Sequence, residues 1–361
     1  MQGLGLVALF IVVYDLREQG HDIAESVTLQ KHARAFSDFT DAMHVKPLAH
    51  SRALTDPGGP TQELLLKDMI AWMVLNGAIL PVINHTKIST VDHAGVSIRG
   101  LVATGNIKRG SYLCSIPAKL LLSRESAMVT ELAAPIVRER MSVFLSLVLT
   151  LLYERQRASR DPLSPWAPYM RVLSSVAVTT PTTWSAEKIE RASPMLRSLV
   201  ALHRKTVAAV FREVRARAPD AIALTGNVTE QAFRETWDLV QSRFWLLKER
   251  AFMAPWADML NYGDSPNACD LVHRPAVPQR VNAADEKKLR APHEYRFEFK
   301  LNKAYVPGEE IDFFYNQHCA EEFMLYYGFV TPDAKPCGKR ALHDYWFADV
   351  LGEDGAVNLT D

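Results

Sequence analysis

No Cys-x-x-Cys pair occurs in this chain, and only four cysteines are present: Cys114, Cys269, Cys319 and Cys337. So sparse a set excludes a disulfide-dense scaffold and offers no closely spaced quartet for zinc, so no metal is expected. The four read as free thiols of a reducing compartment, which points to the cytoplasm or nucleus, and His318-Cys319 reads as an incidental surface pair. An excess of charge is lacking as well. Lys plus Arg equals 41 and Asp plus Glu equals 41, for a net charge of zero. Such a chain is poorly equipped to neutralise phosphates, which argues against nucleic acid and for a protein or small-molecule partner. No apolar stretch reaches the ~20 residues that cross a bilayer comfortably. The run Gly3 to Tyr14 has 12. Its length suits the core of a signal peptide, but no Lys or Arg precedes it and no clean small-x-small site follows. A buried strand or helix, a secretory signal and a membrane anchor all stay open for it. Repeats and low-complexity tracts are absent too.

What is present is an ordinary globular composition: 361 residues, 48% hydrophobic and 23% charged. That length buries a substantial core in one large domain or two modest ones. The turn signal Asp56-Pro57-Gly58-Gly59-Pro60 closes an extension over 1–60. From Glu63 the apolar residues run at helical spacing until Asn76-Gly77. Val91 to Ile98, Gly100 to Ala103 and Ser111 to Ile116 read as short strands separated by Gly95, Gly105 and Gly110. Between 123 and 249 the texture is helical. Met141 to Tyr153 is apolar nearly all round, whereas Leu196 to Val214 and Thr229 to Leu247 are amphipathic. Strand patterning returns with the alternation of Tyr295 to Phe299 and with Glu310 to Tyr315. Short strands, a long helical block and more short strands predict an α+β fold.

Four segments carry chemistry. Ile98-Arg99-Gly100-Leu101-Val102-Ala103-Thr104, followed by Ile107, Gly110 and Ile116-Pro117, places a glycine where backbone can approach another group closely. Gln241-Ser242-Arg243-Phe244 supplies an arginine suited to a charge-assisted grip on a carboxylate. Pro255 to Ala268 contains Asp258, Tyr262 and Asn261, whose amide offers both an acceptor and donors. Pro307-Gly308-Glu309-Glu310 leads to Tyr315, and Glu321 to Val330 adds Tyr326, Tyr327 and Phe329.

Together these segments resemble the SET-domain methyltransferases, in the branch with a long helical insert that includes the Rubisco large-subunit methyltransferases. The likeness runs from Leu64 to Val330, with a weaker echo at Ser164-Pro165-Trp166-Ala167-Pro168-Tyr169. It implies a SET-type core of short strands over 61–330, split by a helical insertion at about 123–249. A pseudoknot-like C-terminal closure and a tail over 331–361 complete the implied layout. It further implies S-adenosylmethionine as methyl donor, held by Ile98, Arg99, Gly100, Arg243, Asp258, Asn261, Tyr262 and Phe329. Tyr315 corresponds to the catalytic tyrosine, and Tyr327 lines the channel beside it. The implied acceptor is a protein side chain, the lysine ε-amine first; a histidine acceptor and a catalytically weakened binding module are the alternatives. Three departures stand out. Tyr262 replaces the usual histidine and Asn316 the usual glycine, and 31 residues follow Val330 where the family usually adds a helical substrate-binding domain.

The implied reaction needs a neutral nitrogen in line with a sulfonium methyl. A free lysine amine has a pKa of about 10.4 and is protonated at neutral pH, so an aromatic, water-poor channel must favour its neutral form. A tyrosine with pKa near 10 stays protonated and serves better to align than to act as a base. Positioning and exclusion of water then supply most of the acceleration, with no metal required.

Overall fold

Apolar spacing decides the first helix. In α1 (Gln62–Leu75), Leu65, Leu66, Met69 and Met73 fall on one face and are buried. Asn76 Nδ2 donates to the Trp72 carbonyl at 2.8 Å and Gly77 takes a φ of 90°, so the Asn-Gly pair ends the helix. The computed structural model describes residues 62–93, 96–175, 180–275, 293–315, 317–331 and 333–338. The apolar run Gly3 to Tyr14, the turn at 56–60 and Asn316 lie outside the described residues.

Four short strands follow: β1 (Thr86–His93), β2 (Val96–Ala103), β3 (Tyr112–Pro117) and β4 (Leu122–Ser123). The helical block comprises α2 (Arg124–Ala127), α3 (Ala133–Arg138), α4 (Val143–Arg160), α5 (Ala167–Ser174), α6 (Ala186–Glu190), α7 (Pro194–Arg217), α8 (Pro219–Leu224) and α9 (Glu230–Gln241). Then come β5 (Trp245–Leu247), β6 (Arg250–Met253), β7 (Asn261–Tyr262), β8 (Ala268–Pro275), β9 (His293–Lys300), β10 (Glu310–Phe313) and α10 (Ala320–Tyr327). The strands form three small sheets, ordered β1-β2-β10-β7, β3-β9-β8 and β4-β6-β5. Strands from both ends of the described chain share the first two, so the helices are an insertion into a β-rich core: an α+β fold. In α4 every residue from Leu145 to Glu154 is buried, which is why its sequence lacks a polar face. Among the described residues no helix is long and apolar enough to cross a membrane.

Three sequence expectations need correction. Val91 to Ile98 is not one strand: β1 ends at His93, β2 begins at Val96, and Val91 pairs with Ile98 across the hairpin. Gly100 therefore lies within β2 and does not begin a separate strand. Its lack of a side chain answers a packing need, because a Cβ there would collide with Glu310 Oε1 and lie 2.9 Å from Asn261 Nδ2. The helix expected over Thr229 to Leu247 stops at Gln241, and Trp245–Leu247 is a strand paired with β6. The turn between them places Lys248 and Glu249 at φ of 51° and 63°, the left-handed pair of a type I′ hairpin. Finally, the cysteines are not all free. Cys319 and Cys337 form a disulfide with Cα atoms 5.0 Å apart, while Cys114 and Cys269 are free. Their separation of 18 residues carries no motif, and only the fold brings them within bridging range.

Candidate functional site

The site grows from the junction of β2, β7 and β10. β10 runs antiparallel to β2 and parallel to β7, with Asp312 opposite Asn261 and Phe313 opposite Tyr262. Asn261 Nδ2 donates to the Arg99 carbonyl and to Glu310 Oε1, each at 2.8 Å. Both amide hydrogens are thus engaged within the protein, and the carbonyl oxygen is the remaining hydrogen-bonding group. The dual donor-acceptor role expected of Asn261 reduces to acceptor. Asn267 pins the next turn, its Nδ2 donating to the Asp312 carbonyl at 2.8 Å and to the Tyr305 hydroxyl at 2.6 Å. Ile98 is half-buried on β2 opposite Val91.

Behind this junction lies a charged cluster built on one buried carboxyl. Trp256 takes a φ of 72°, a strained value for a bulky residue, and turns the chain into Ala257–Met259. That turn buries Asp258. Its Oδ2 accepts from the Tyr169 hydroxyl at 2.7 Å, reaching across from α5, and its carbonyl accepts from Arg243 Nη1 at 2.6 Å. Among the described residues, neither the buried Asp258 Oδ1 nor the buried Arg243 Nε finds a hydrogen-bond partner. Burial raises the Asp258 carboxyl, against the opposing pull of Arg243, Tyr169 and Arg99. Arg99 is brought down to about 10, first by burial and then by the nearby charge of Arg243. The charges of Arg99 and Arg243 therefore both bear on the Asp258 carboxyl.

An aromatic cluster adjoins it. Tyr315 follows β10, and its hydroxyl donates to the Leu260 carbonyl at 2.6 Å. Its ring lies 5.0 Å from that of Tyr327 on α10 and 5.7 Å, edge-on, from Tyr262. Burial pushes both phenols, Tyr315 and Tyr327, well above the ordinary tyrosine range. The Leu260 carbonyl that the Tyr315 hydroxyl reaches lies two residues after Asp258, so the charged and aromatic clusters meet there. Tyr262 also packs against Phe314, Phe323 and Phe329, at 5.9, 5.0 and 6.0 Å. Standing where the family usually has histidine, it acts as an aromatic brace while its backbone pairs with Phe313.

The fold thus gathers Tyr262, Tyr315, Tyr327 and Phe329 into one wall, and the half-buried Arg99 and Arg243 beside the buried Asp258. Gly100 and Asn261 are fixed in the strands beside them. Sequence reasoning missed Tyr169, although the echo at Ser164 to Tyr169 pointed to it. It also missed Glu310 as the partner of Asn261, and Phe314, His318 and Phe323 as members of the wall. His318 packs 5.4 Å from Phe323 and 5.8 Å from Tyr327. Cys319, Glu322 and Cys337 each bring a potential ligand atom within 4.8 Å of the others, with the two sulfurs joined.

A family model of the SET domain matches residues 98–316, more than half of the chain. The human SET domain-containing protein 4 is 24% identical over 251 residues, covering 64% of this chain and 52% of that protein. The Danio rerio actin-histidine N-methyltransferase is 26% identical over 249 residues, covering 65% of this chain and 38% of its own length. The chain spans about half the length, or less, of these curated relatives. Among solved structures, the SET domain of LSMT bound to methyllysine and AdoHcy superposes with a TM-score of 0.59 at 19% identity, over 74% of this chain and 57% of that one. Rubisco LSMT bound to AdoMet gives a TM-score of 0.57 at 20% identity, with the same coverage of 74% and 57%. At such identities the likeness to the solved structures is one of fold. The family match and the shared fold agree: this chain belongs to the SET-domain family.

Proposed function

We propose that this protein transfers a methyl group from S-adenosylmethionine to a protein side chain, with the lysine ε-amine as acceptor. The observation that carries this reading is the meeting of two unlike clusters at Tyr315: a buried charged group on one side and an aromatic wall on the other. Bound S-adenosylmethionine supplies a methyl on a sulfonium, open to displacement by a neutral nitrogen.

The residues present fit that cofactor. Its amino-acid end carries a carboxylate and an ammonium, and the charged cluster holds one of each complement. Among the described residues, Arg243 Nε is a buried donor without a partner, and Asp258 Oδ1 a buried acceptor without one. Groups of this kind are costly unless a ligand completes them. Arg99 adds a second positive charge, and the Asn261 carbonyl oxygen a further acceptor.

On the acceptor side the chain's own residues exclude water and set direction. Tyr327, Phe323 and Phe329 form an apolar wall that disfavours an ammonium without its counter-charge and so promotes the neutral amine. The Tyr315 hydroxyl gives its hydrogen to Leu260, so towards a substrate its oxygen is an acceptor. It accepts an N–H of the amine and turns the lone pair into line; it also accepts weak C–H contacts from a polarised methyl. With its phenol held above the ordinary range, Tyr315 keeps its proton and is no general base.

Calorimetric binding of S-adenosylmethionine, followed by labelling of a lysate with the methyl-labelled cofactor, tests the proposal. Tyr315→Phe should lower turnover by ~10²- to 10³-fold while the cofactor Kd stays within about twofold. Unchanged turnover would remove Tyr315 from the mechanism. No cofactor binding at all would favour a SET-fold binding module. A histidine acceptor is the second reading, favoured by the 26% identity to the actin-histidine enzyme; label found on imidazole would establish it.

A further inference from the structure

The disulfide lies at the edge of the aromatic wall, and nothing in the proposed chemistry uses it. Cys319 immediately precedes α10, the helix that carries Phe323, Tyr326 and Tyr327. Cys337 lies in the segment beyond Phe329. The loop closed by the bridge therefore contains three aromatic residues of the wall: Phe323, Tyr327 and Phe329. Further ties reinforce the closure. The Ala320 backbone N–H donates to the Lys335 carbonyl at 2.8 Å, and the Cys337 N–H donates to Glu321 Oε2 at 2.7 Å. The Cys319 N–H donates to Glu322 Oε2 at 3.1 Å, which fixes the first turn of the helix. One residue earlier, His318 rests on Phe323, Tyr326 and Tyr327.

α10 is also held by packing: Phe323, Leu325 and Tyr326 are buried, the helix lies against α7 and the turn Pro181–Thr183, and Glu321 Oε1 accepts from the Ser193 hydroxyl at 3.0 Å. α10 is short, and the segment 333–338 has no regular structure of its own. Among the described residues, its ties to α10 are the bridge, the Ala320–Lys335 backbone hydrogen bond and the bond from the Cys337 N–H to the Glu321 carboxylate. Both bridged cysteines are half-buried residues, whereas Cys114 is fully buried in the sheet.

We propose that the Cys319–Cys337 bridge is a thiol–disulfide latch on the acceptor channel. Formed, it holds α10 and the segment 333–338 together and keeps the aromatic wall in place; broken, it lets that wall loosen. The reductant is a dithiol. One of its thiolates attacks a bridge sulfur, breaking the S–S bond and forming a mixed disulfide, and its second thiol then displaces the remaining cysteine. Two electrons and two protons pass to Cys319 and Cys337, and the reductant leaves as its own disulfide. The effect on activity rests on the methyl-transfer reading above, but the effect on α10 does not. A metal bound by Cys319, Glu322 and Cys337 is the competing use of the same atoms. It would need both thiolates and so excludes the bridge, and the two sulfurs are joined in the structure.

The test equilibrates the full chain in buffers of oxidised and reduced dithiothreitol. Bridged protein is counted by alkylation and mass spectrometry, and amide hydrogen exchange is followed along the chain. A single two-electron transition is expected. On reduction, exchange over 320–327 should accelerate ~10-fold while α4 stays unchanged. KM for an acceptor peptide should rise ~5- to 10-fold while the S-adenosylmethionine Kd stays within about twofold. Cys337→Ser should behave as the reduced form and no longer respond to dithiol, and Cys319→Ser should match it. Equal exchange in both redox states would overturn the latch, as would wild-type protein that never forms the bridge. Uptake of one zinc ion by the reduced chain, lost in Cys337→Ser, would overturn it in favour of the metal site. If no acceptor is methylated in any state, the function proposal fails while the exchange data still decide the latch.

Discussion

In the helical insert, Asp238 has both carboxylate oxygens engaged. Oδ1 lies 2.7 Å from His203 Nε2, and Oδ2 accepts from the Thr182 hydroxyl, which itself pairs with Thr180 Oγ1 at 2.8 Å. Arg204 closes the same network from outside, donating to the Thr182 and Trp184 carbonyls at 2.8 and 3.1 Å. In the strand core, Asp258 is just as buried, yet only Oδ2 is engaged, by Tyr169, and Oδ1 has no partner among the described residues. The two aspartates separate two uses of a buried charge. One locks three segments of the insert together with its carboxylate satisfied within the protein. The other keeps an acceptor in reserve beside an arginine with a donor in reserve. Burial alone does not mark a site; incomplete satisfaction beside the aromatic wall does.

The sharpest way to break this comparison is Asp238→Ala. It removes the carboxylate that the His203 ring and the Thr182 hydroxyl share, so stability to denaturant should fall by ~3–5 kcal/mol. Cofactor affinity, measured on the protein that remains folded, should be unchanged; a loss there would join the insert network to the site.

Asp258→Asn should do the reverse. The amide preserves shape and an acceptor for Tyr169 while removing a desolvated charge, so unfolding free energy should move by no more than about 1 kcal/mol. S-adenosylmethionine affinity should weaken ~10- to 100-fold by calorimetry, because the reserved acceptor and the balance with Arg99 and Arg243 are lost. A large stability loss with intact binding would make Asp258 a structural residue like Asp238.

The smallest effect is on pH dependence. Tyr315 and Tyr327 both hold their protons more tightly in the folded chain than in the unfolded one. Their contribution to stability is therefore complete below about pH 10 and declines above it, with a limiting slope of about 1.4 kcal/mol per pH unit for each phenol. Melting temperatures between pH 9 and 11.5 should show that decline, and Tyr315→Phe should flatten it. A profile identical in the variant would mean that the Tyr315 phenol does not titrate differently on folding.

Much of this was legible before any coordinates. The order of strands, helices and strands gave the α+β class, and the resemblance of the segments around Arg99, Arg243, Asp258 and Tyr315 to the SET-domain family implied most of the two clusters, because each segment is a short continuous motif. Element ends were less legible. Val91 to Ile98 reads as one strand because both sides of a tight hairpin alternate alike, and Trp245 and Leu247 fit a helical period as well as a strand. Pairings were not legible at all. Tyr169 meets Asp258 across 89 residues, and Asn261 meets Glu310 across 49.

The sequence by itself determined which residue types could serve: an arginine for a carboxylate, an asparagine at a turn, tyrosines for a dry wall, and helices whose apolar faces demand burial. Those are properties of local composition and period. Tertiary structure alone decided how the groups are used. It turned the Asn261 amide inward, engaged the Tyr315 hydrogen with Leu260, left Asp258 half satisfied and joined Cys319 to Cys337. Each of these depends on the distance between residues far apart in the chain, and that distance is set only when the strands pair and the core closes around them.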